Sequence, residues 1–473
     1  MANPESGSSA AKAISLPVAH LDTGSALEQI QQDYRSGRLH RAQRLCRDLL
    51  QHDEDNVLVI RQLGVISHRL EDFATAKECF FRLIRLTPDD AGVYYNLGHT
   101  GIGLDDVDLA FAAFAKTVEL DPERAAAYNN MGVLLEQRGD YEDAIDYFYE
   151  ASELDPEHAL SRMHLSRALN CVHRLQESNQ VVESSLAVNT LSPLQRAELL
   201  LRQGQNSWLA GDQATCRRVV SLCEHVLAHV QEPGRLGGRF RLLRSLLKFR
   251  RENPACYEQP ATHTAYYLGS SHALTAANTV LELDDIAYRL ESFCIETATA
   301  ADLRCLVAGQ PAAGRCTASF TAAMHQVPDK SWVLLDFGEP LCRPYGSLFQ
   351  RLKQQEGFEQ VLQDLVSDHL DFVAQQCAKR RLKLVFVGVP ANNCDMQDLS
   401  VEDQHRLLLL TEQFNRCLER QALERGFYFL DLFTATVGGN GKSNKYYHLD
   451  AYRLRPDALG QIVQGYLLLP GRT

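Results

Sequence analysis

The sequence predicts a multidomain chain, an all-α solenoid of helical repeats followed by an α/β domain of three layers built on a parallel sheet. Two observations predict it. Residues 57–158 repeat with a period of 34, and from residue 261 onward short apolar runs alternate with helical stretches. At 473 residues the chain also exceeds what one hydrophobic core ordinarily serves.

The first segment, 1–22, reads "MANPESGSSAAKAISLPVAHLD". Its small and polar residues predict a disordered tail, and it lacks a basic stretch followed by a continuous apolar one, the pattern of a secretory leader. The net charge of -12 argues against a general nucleic-acid binder and leaves room only for a local basic patch. No apolar run approaches the roughly 18 residues of a membrane span. The 13 cysteines are odd in number, scattered, and free of any CxxC pair. Reduced thiols and a cytoplasmic chain are therefore expected, with no metal site and no cofactor.

Between 57 and 158 four registers agree at a spacing of 34: Gly64, Gly98 and Gly132; Ala76, Ala110 and Ala144; Phe80, Phe114 and Phe148; Pro88, Pro122 and Pro156. Small residues belong where two helices cross closely, Phe should fill the groove against the next repeat, and Pro ends the second helix. This pattern resembles the tetratricopeptide (TPR) family. A weaker repeat precedes it at 23–56, with Ala42 at the small position and Cys46 in place of Phe. Residues 159–192 keep only the helical period, and 195–228 restore an Ala at 214. One repeat cannot bury its apolar face alone, so about six helix pairs should stack over 23–228. The resemblance implies a concave surface holding a protein or peptide partner, with any chemistry elsewhere.

Residues 229–260 read as a capping helix and linker bounded by Pro233 and Pro254. On a helical wheel Arg241, Arg244, Lys248 and Arg251 form one stripe, opposite Leu242, Leu243, Leu246 and Phe249. The stripe is either a docking face for anionic lipid or an acidic partner, or the solvated side of a capping helix.

The α/β domain is expected over 261–473. "TAYYLGS", "SWVLLDFG", "KLVFVGVP" and "GFYFLDLF" are strand-like runs separated by helical stretches. In such sheets functional groups gather at the carboxyl ends of strands, where Ser271, Gly338, Asn392 and Asn393 fall. The "GKS" of "TATVGGNGKSNK" is not a phosphate loop, because that motif needs Gly where Thr436 stands.

Four blocks, "LGSSH", "DFGEPLCR", "GVPANN" and "HLDAYRLRPDALGQIV", resemble in order and spacing those of the SGNH/GDSL hydrolase superfamily. The resemblance implies Ser271 as nucleophile, Gly338 and Asn392 or Asn393 as donors to an oxyanion, and Asp450 in the triad. Two positions depart from it. Ser270 stands where the family has Asp, and Arg453 where it has the triad His. A guanidinium stays protonated and cannot accept the serine proton. His448 or His272 could substitute as base. Three readings follow. One is an interaction scaffold whose second domain binds an acylated or anionic ligand through Ser271, Gly338, Asn392, Asn393 and Arg453 without hydrolysing it. Another is an esterase acting on a glycan or protein ester through an unusual base. The third is a domain that only caps the array, which then carries all the function.

Overall fold

The computed structural model describes residues 23–188, 190–230, 234–295, 313–338, 342–343, 347–353 and 358–470. The expected tail at 1–22, Pro233, and residues 339–341 of the DFGEPLCR block lie outside the described residues. The chain divides into two compact units, one ending at Met131 and the other beginning at Gly132.

The first unit holds α1 (Thr23–Arg35), α2 (Leu39–Leu50), α3 (Val57–Arg69), α4 (Phe73–Leu86), α5 (Ala91–Gly103), α6 (Val107–Leu120) and the start of α7 (Ala125–Arg138). Pro88 and Pro122 stand just past the ends of α4 and α6. Aspartates open the helices: Asp72, Asp90 and Asp106 accept hydrogen bonds from the N–H groups of Thr75, Gly92 and Leu109. Each such cap stabilises its helix by about 1 kcal/mol.

The recurring Gly and Phe meet within each repeat, and Phe148 also touches His164 of the next one, with ring centroids 5.3 Å apart. A Cβ placed on Gly98 would lie 2.6 Å from the Phe114 ring, and one on Gly64 would lie 2.9 Å from Phe80. Phe thus packs onto the glycine of its own repeat, closing the helix pair from within. In the first pair the same two positions are Ile30 and Cys46, both fully buried. Large and small have changed places, which keeps the summed volume near constant and explains why the signature fades there while the packing persists.

The second unit continues the helix pairs with the rest of α7 and α8 (Tyr141–Leu154), α9 (Ala159–Cys171) with α10 (Leu175–Leu186), and α11 (Pro193–Leu209) with α12 (Gln213–Leu227). Then come α13 (Gly234–Glu252) and the short α14 (Ala255–Glu258). As expected from the wheel, Leu242, Leu243 and Leu246 of α13 are buried and Arg241, Arg244, Lys248 and Arg251 are exposed.

A sheet follows, with β1 (His263–Gly269), α15 (His272–Ala276), β2 (Val280–Leu283), β3 (Ile286–Cys294), α16 (Ala313–Gln326), β4 (Trp332–Asp336), α17 (Ser347–Leu352) and α18 (Phe358–Cys377). It is completed by β5 (Lys383–Val387), α19 (Val401–Glu424), β6 (Tyr428–Leu430), α20 (Leu432–Thr436), α21 (Ala458–Tyr466) and β7 (Leu467–Leu468). The strand order is β2-β3-β1-β4-β5-β6-β7. Strands β3, β1, β4, β5 and β6 are parallel neighbours.

The sheet is mixed, which corrects the expectation of a parallel one: β2 runs antiparallel to β3, and β7 to β6. The cause at the first edge is local. Asp284 and Asp285 have φ of 51° and 60°, the left-handed pair that a tight two-residue hairpin requires, so β2 folds straight back onto β3. Side chains alternate between two apolar layers. Leu268, Leu335 and Phe386 face α16, α18 and α19 through Phe320, Leu370 and Phe414, while Tyr267, Leu334 and Val385 face α15 and α21 through Ala276 and Ile462.

Within this unit the last repeat helices are bonded to the sheet's surroundings. The Trp208 indole Nε1 of α11 donates to the Leu274 carbonyl at 2.6 Å, and Asn278 Nδ2 donates to the Trp208 carbonyl at 2.8 Å. Trp208, Leu243, Tyr257, Leu274 and Ala277 share one buried cluster.

Candidate functional site

Strands β1, β4 and β5 lie side by side, so their carboxyl ends bring residues 269–272, 336–338 and 388–393 to one edge of the sheet. Gly269 pairs with Asp336 across β1 and β4, and a Cβ on Gly269 would lie 2.7 Å from the Asp336 carbonyl oxygen. Only glycine permits this approach, and the tight crossing sets where Ser270 and Ser271 emerge.

Ser271 Oγ accepts a hydrogen bond from Arg453 Nε at 3.0 Å. The same guanidinium donates through Nη1 to Asp450 Oδ2 at 2.5 Å. Asp450 sits in a turn inside a small hairpin, with its other oxygen accepting from the N–H groups of Tyr452 (2.9 Å) and Arg453 (2.8 Å). Burial opposes its ionisation, but the Arg453 charge and these N–H donors outweigh burial and hold the carboxyl below its ordinary range. The carboxylate that a triad would give to an imidazole is here given to arginine.

The two histidines face other partners. His448 Nδ1 lies 2.9 Å from Ser443 Oγ, and burial, with the nearby His272, pushes its pKa down to about 4. His272 Nε2 is 2.9 Å from the Tyr452 carbonyl oxygen, which can only accept, so this nitrogen carries a hydrogen. Its Nδ1 lies 2.9 Å from Asp336 Oδ2, a carboxylate oxygen that also accepts from Tyr267 Oη at 3.0 Å. Both ring nitrogens of His272 thus lie beside oxygens of Tyr452 and Asp336.

The loop after β5 is braced from beneath. Asn415 accepts from Val389 N and donates to the Val389 carbonyl, and Thr436 Oγ1 accepts from Ala391 N at 2.8 Å. Asn392 Nδ2 donates to Thr411 Oγ1 at 2.8 Å, so its amide is turned toward α19. Asn393 Nδ2 donates to the Asp450 carbonyl at 2.8 Å and ties this loop to the Arg453 hairpin. Gly338 abuts Phe414 and Val389, where a Cβ would lie 2.4 Å and 2.7 Å from their side chains. It borders a small apolar cavity with Phe337, His369 and Phe386.

Among the candidates, hydrogen bonds therefore join Ser271, Arg453, Asp450 and Asn393 in one chain. Asn392, His448 and Gly338 are engaged with neighbours outside it. A mixed, half-open groove of about 410 Å³ lies alongside, lined by Asn392, Asn393, Gln404, Lys442, Ser443 and Lys445. Sequence reasoning missed the buried Tyr267–Asp336–His272 group. Its signal was an aspartate closing the apolar run "WVLLD", since a carboxylate buried at a strand end requires donors.

Residues 91–124 and 125–158 each match the tetratricopeptide repeat family. Residues 91–158 are tetratricopeptide repeats. Similar solved structures include MamA (20% identity over 35% of this chain and 94% of that one, TM-score 0.32). They also include PilF of Pseudomonas aeruginosa (16% identity, 44% and 94%, TM-score 0.37). A third, YrrB, is described as a TPR protein with an unusual peptide-binding site (19% identity, 36% and 87%, TM-score 0.32). No curated protein matches the chain. Among the described residues no helix is long and apolar enough to cross a membrane, and no group of three or more His, Cys, Asp or Glu could hold a metal ion.

Proposed function

We propose that this protein is an interaction scaffold. TPR repeats over 23–228 hold a protein or peptide partner, and through a linker at 229–260 they carry an SGNH/GDSL-like domain, 261–473, that binds an acylated or anionic ligand without hydrolysing it. The observation carrying this reading is the Arg453 guanidinium seated between Ser271 Oγ and Asp450. A serine hydroxyl becomes a nucleophile when a base accepts its proton, and here the hydroxyl faces a permanent donor. With the carboxylate already paired and the His448 imidazole held at Ser443, the corner supplies hydrogen-bond donors and positive charge, the equipment of an anion or ester-carbonyl site. The scattered and, among the described residues, mostly buried cysteines agree with a cytoplasmic setting.

Hydrolysis of short acyl esters tests this directly. Wild type and Ser271→Ala should give the same rate, and Arg453→His, alone or with Ser270→Asp, should raise it, because an imidazole at 453 would stand between Ser271 and Asp450. Activity in the wild type that disappears in Ser271→Ala overturns the reading in favour of an esterase with a non-standard base.

A further inference from the structure

The exposed basic stripe of α13 has a counterpart elsewhere on the same chain. Arg241, Arg244, Lys248 and Arg251 are spaced by three, four and three residues, and all four side chains are exposed. On α8, Asp143, Asp146, Glu150 and Glu153 are exposed at the same spacing of three, four and three. Residues so spaced line one face of a helix, and ten residues of helix extend about 15 Å. The two stripes therefore match in length, in pitch and in number of charges, with opposite sign.

Among the described residues both stripes are mostly unpaired. Arg244 pairs with Glu224 at 3.2 Å, through side chains 66% and 54% exposed, and Arg251 stands 3.8 Å from the adjacent Glu252. Among the described residues no ion pair engages Arg241, Lys248 or any of the four acidic residues, and the salt bridge from α8 to Arg174 uses Glu142, which lies off the stripe. Next to the acidic stripe Tyr149 and Leu154 remain 37% and 38% exposed, giving that face apolar surface to cover.

We propose that the α13 stripe docks the α8 stripe of a second copy of this chain. The contact is heterologous, since the two surfaces differ, so each copy offers one donor and one acceptor face and association can continue beyond two. A contact of this length lies at the small end of protein interfaces, and its charge pairs are exposed, so the association is weak, reversible and salt-sensitive. An acidic partner thus comes from the chain itself.

Sedimentation velocity of the full chain, over a range of protein concentrations, provides the test. The wild type should exceed monomer mass at low salt and return to monomer near 1 M salt, where the screening length falls to about 3 Å. Charge reversal on α13 (Arg241→Glu, Arg244→Glu, Lys248→Glu, Arg251→Glu) should weaken self-association by about tenfold or more, as should reversal on α8 (Asp143→Lys, Asp146→Lys, Glu150→Lys, Glu153→Lys). Mixing the two variants should restore association, because the first keeps an intact α8 and the second an intact α13. Circular dichroism verifies folding, and substitutions to Gln or Asn at the same positions replace any variant that fails. A wild type that stays monomeric at low salt, including one that instead binds phosphatidylserine vesicles, overturns the proposal. So does association that survives the α13 reversal, or a mixture no more associated than its components.

Discussion

In the repeats the contacts that decide packing are close in sequence, whereas at the Ser271 corner they join segments from opposite ends of the α/β region. Gly98 and Phe114 belong to one helix pair and one 34-residue period. Ser271 and Arg453 are 182 residues apart. A short-range contact recurs in each repeat and leaves a period in the sequence, even when Ile30 and Cys46 exchange the large and small partners. A long-range contact occurs once. Its residues can be replaced one at a time without disturbing any pattern, so the pairing of Ser271 with Arg453 leaves no period in the sequence.

The comparison breaks first at Trp208, where a repeat helix depends on long-range partners. Trp208 is 1% exposed and donates to Leu274. Trp208→Ala should destabilise the second unit by about 3–5 kcal/mol, since it opens a cavity and removes the donor to a buried carbonyl. Thermal or denaturant unfolding measures this. A loss below about 1 kcal/mol would mean that the helix pairs and the sheet region are stabilised independently.

Acid should affect the same unit next. Burial pushes His164, His369 and His448 down to about 4, with neighbouring positive charge adding to it at His164 and His448. Their unfolded values lie near 6.5. Between these limits the unfolded chain binds more protons, so stability is complete above about pH 6.5 and declines as pH falls toward 4, by up to about 1.4 kcal/mol per group per pH unit. Melting temperatures between pH 7 and 4.5 should show this slope, reduced when His369 is replaced by Phe. A flat profile would place these imidazoles in water.

Within the repeats, Gly98→Leu should cost roughly 1–3 kcal/mol, since even a Cβ would meet the Phe114 ring at 2.6 Å. A simultaneous Phe114→Ala should recover part of that loss, as the Ile30 and Cys46 arrangement indicates. The double variant is read by its melting temperature, and one no more stable than Gly98→Leu alone would show that the two positions do not share volume. The smallest effect is expected at the caps, where Asp106→Ala removes the acceptor for Leu109 N and should cost about 1 kcal/mol. Helix content and midpoint together measure it.

The sequence by itself determined the helix pairs, their 34-residue frame, the exposed stripe on α13 and the alternation of strands and helices after 261. Each rests on local propensity and on a period that burial imposes on neighbouring residues. It also placed Ser271 and Arg453 at the ends of elements that a resemblance put side by side. Only the tertiary structure decided which side chains meet. It turned Asn392 toward Thr411 and Asn393 toward the Asp450 carbonyl, and it set His272 Nε2 against the Tyr452 carbonyl. It likewise folded β2 back as an antiparallel edge through the left-handed pair at Asp284 and Asp285. The physical reason is the same throughout. A hydrogen bond between distant segments depends on the direction of one side chain, which packing against three or four elements selects and which no local pattern encodes.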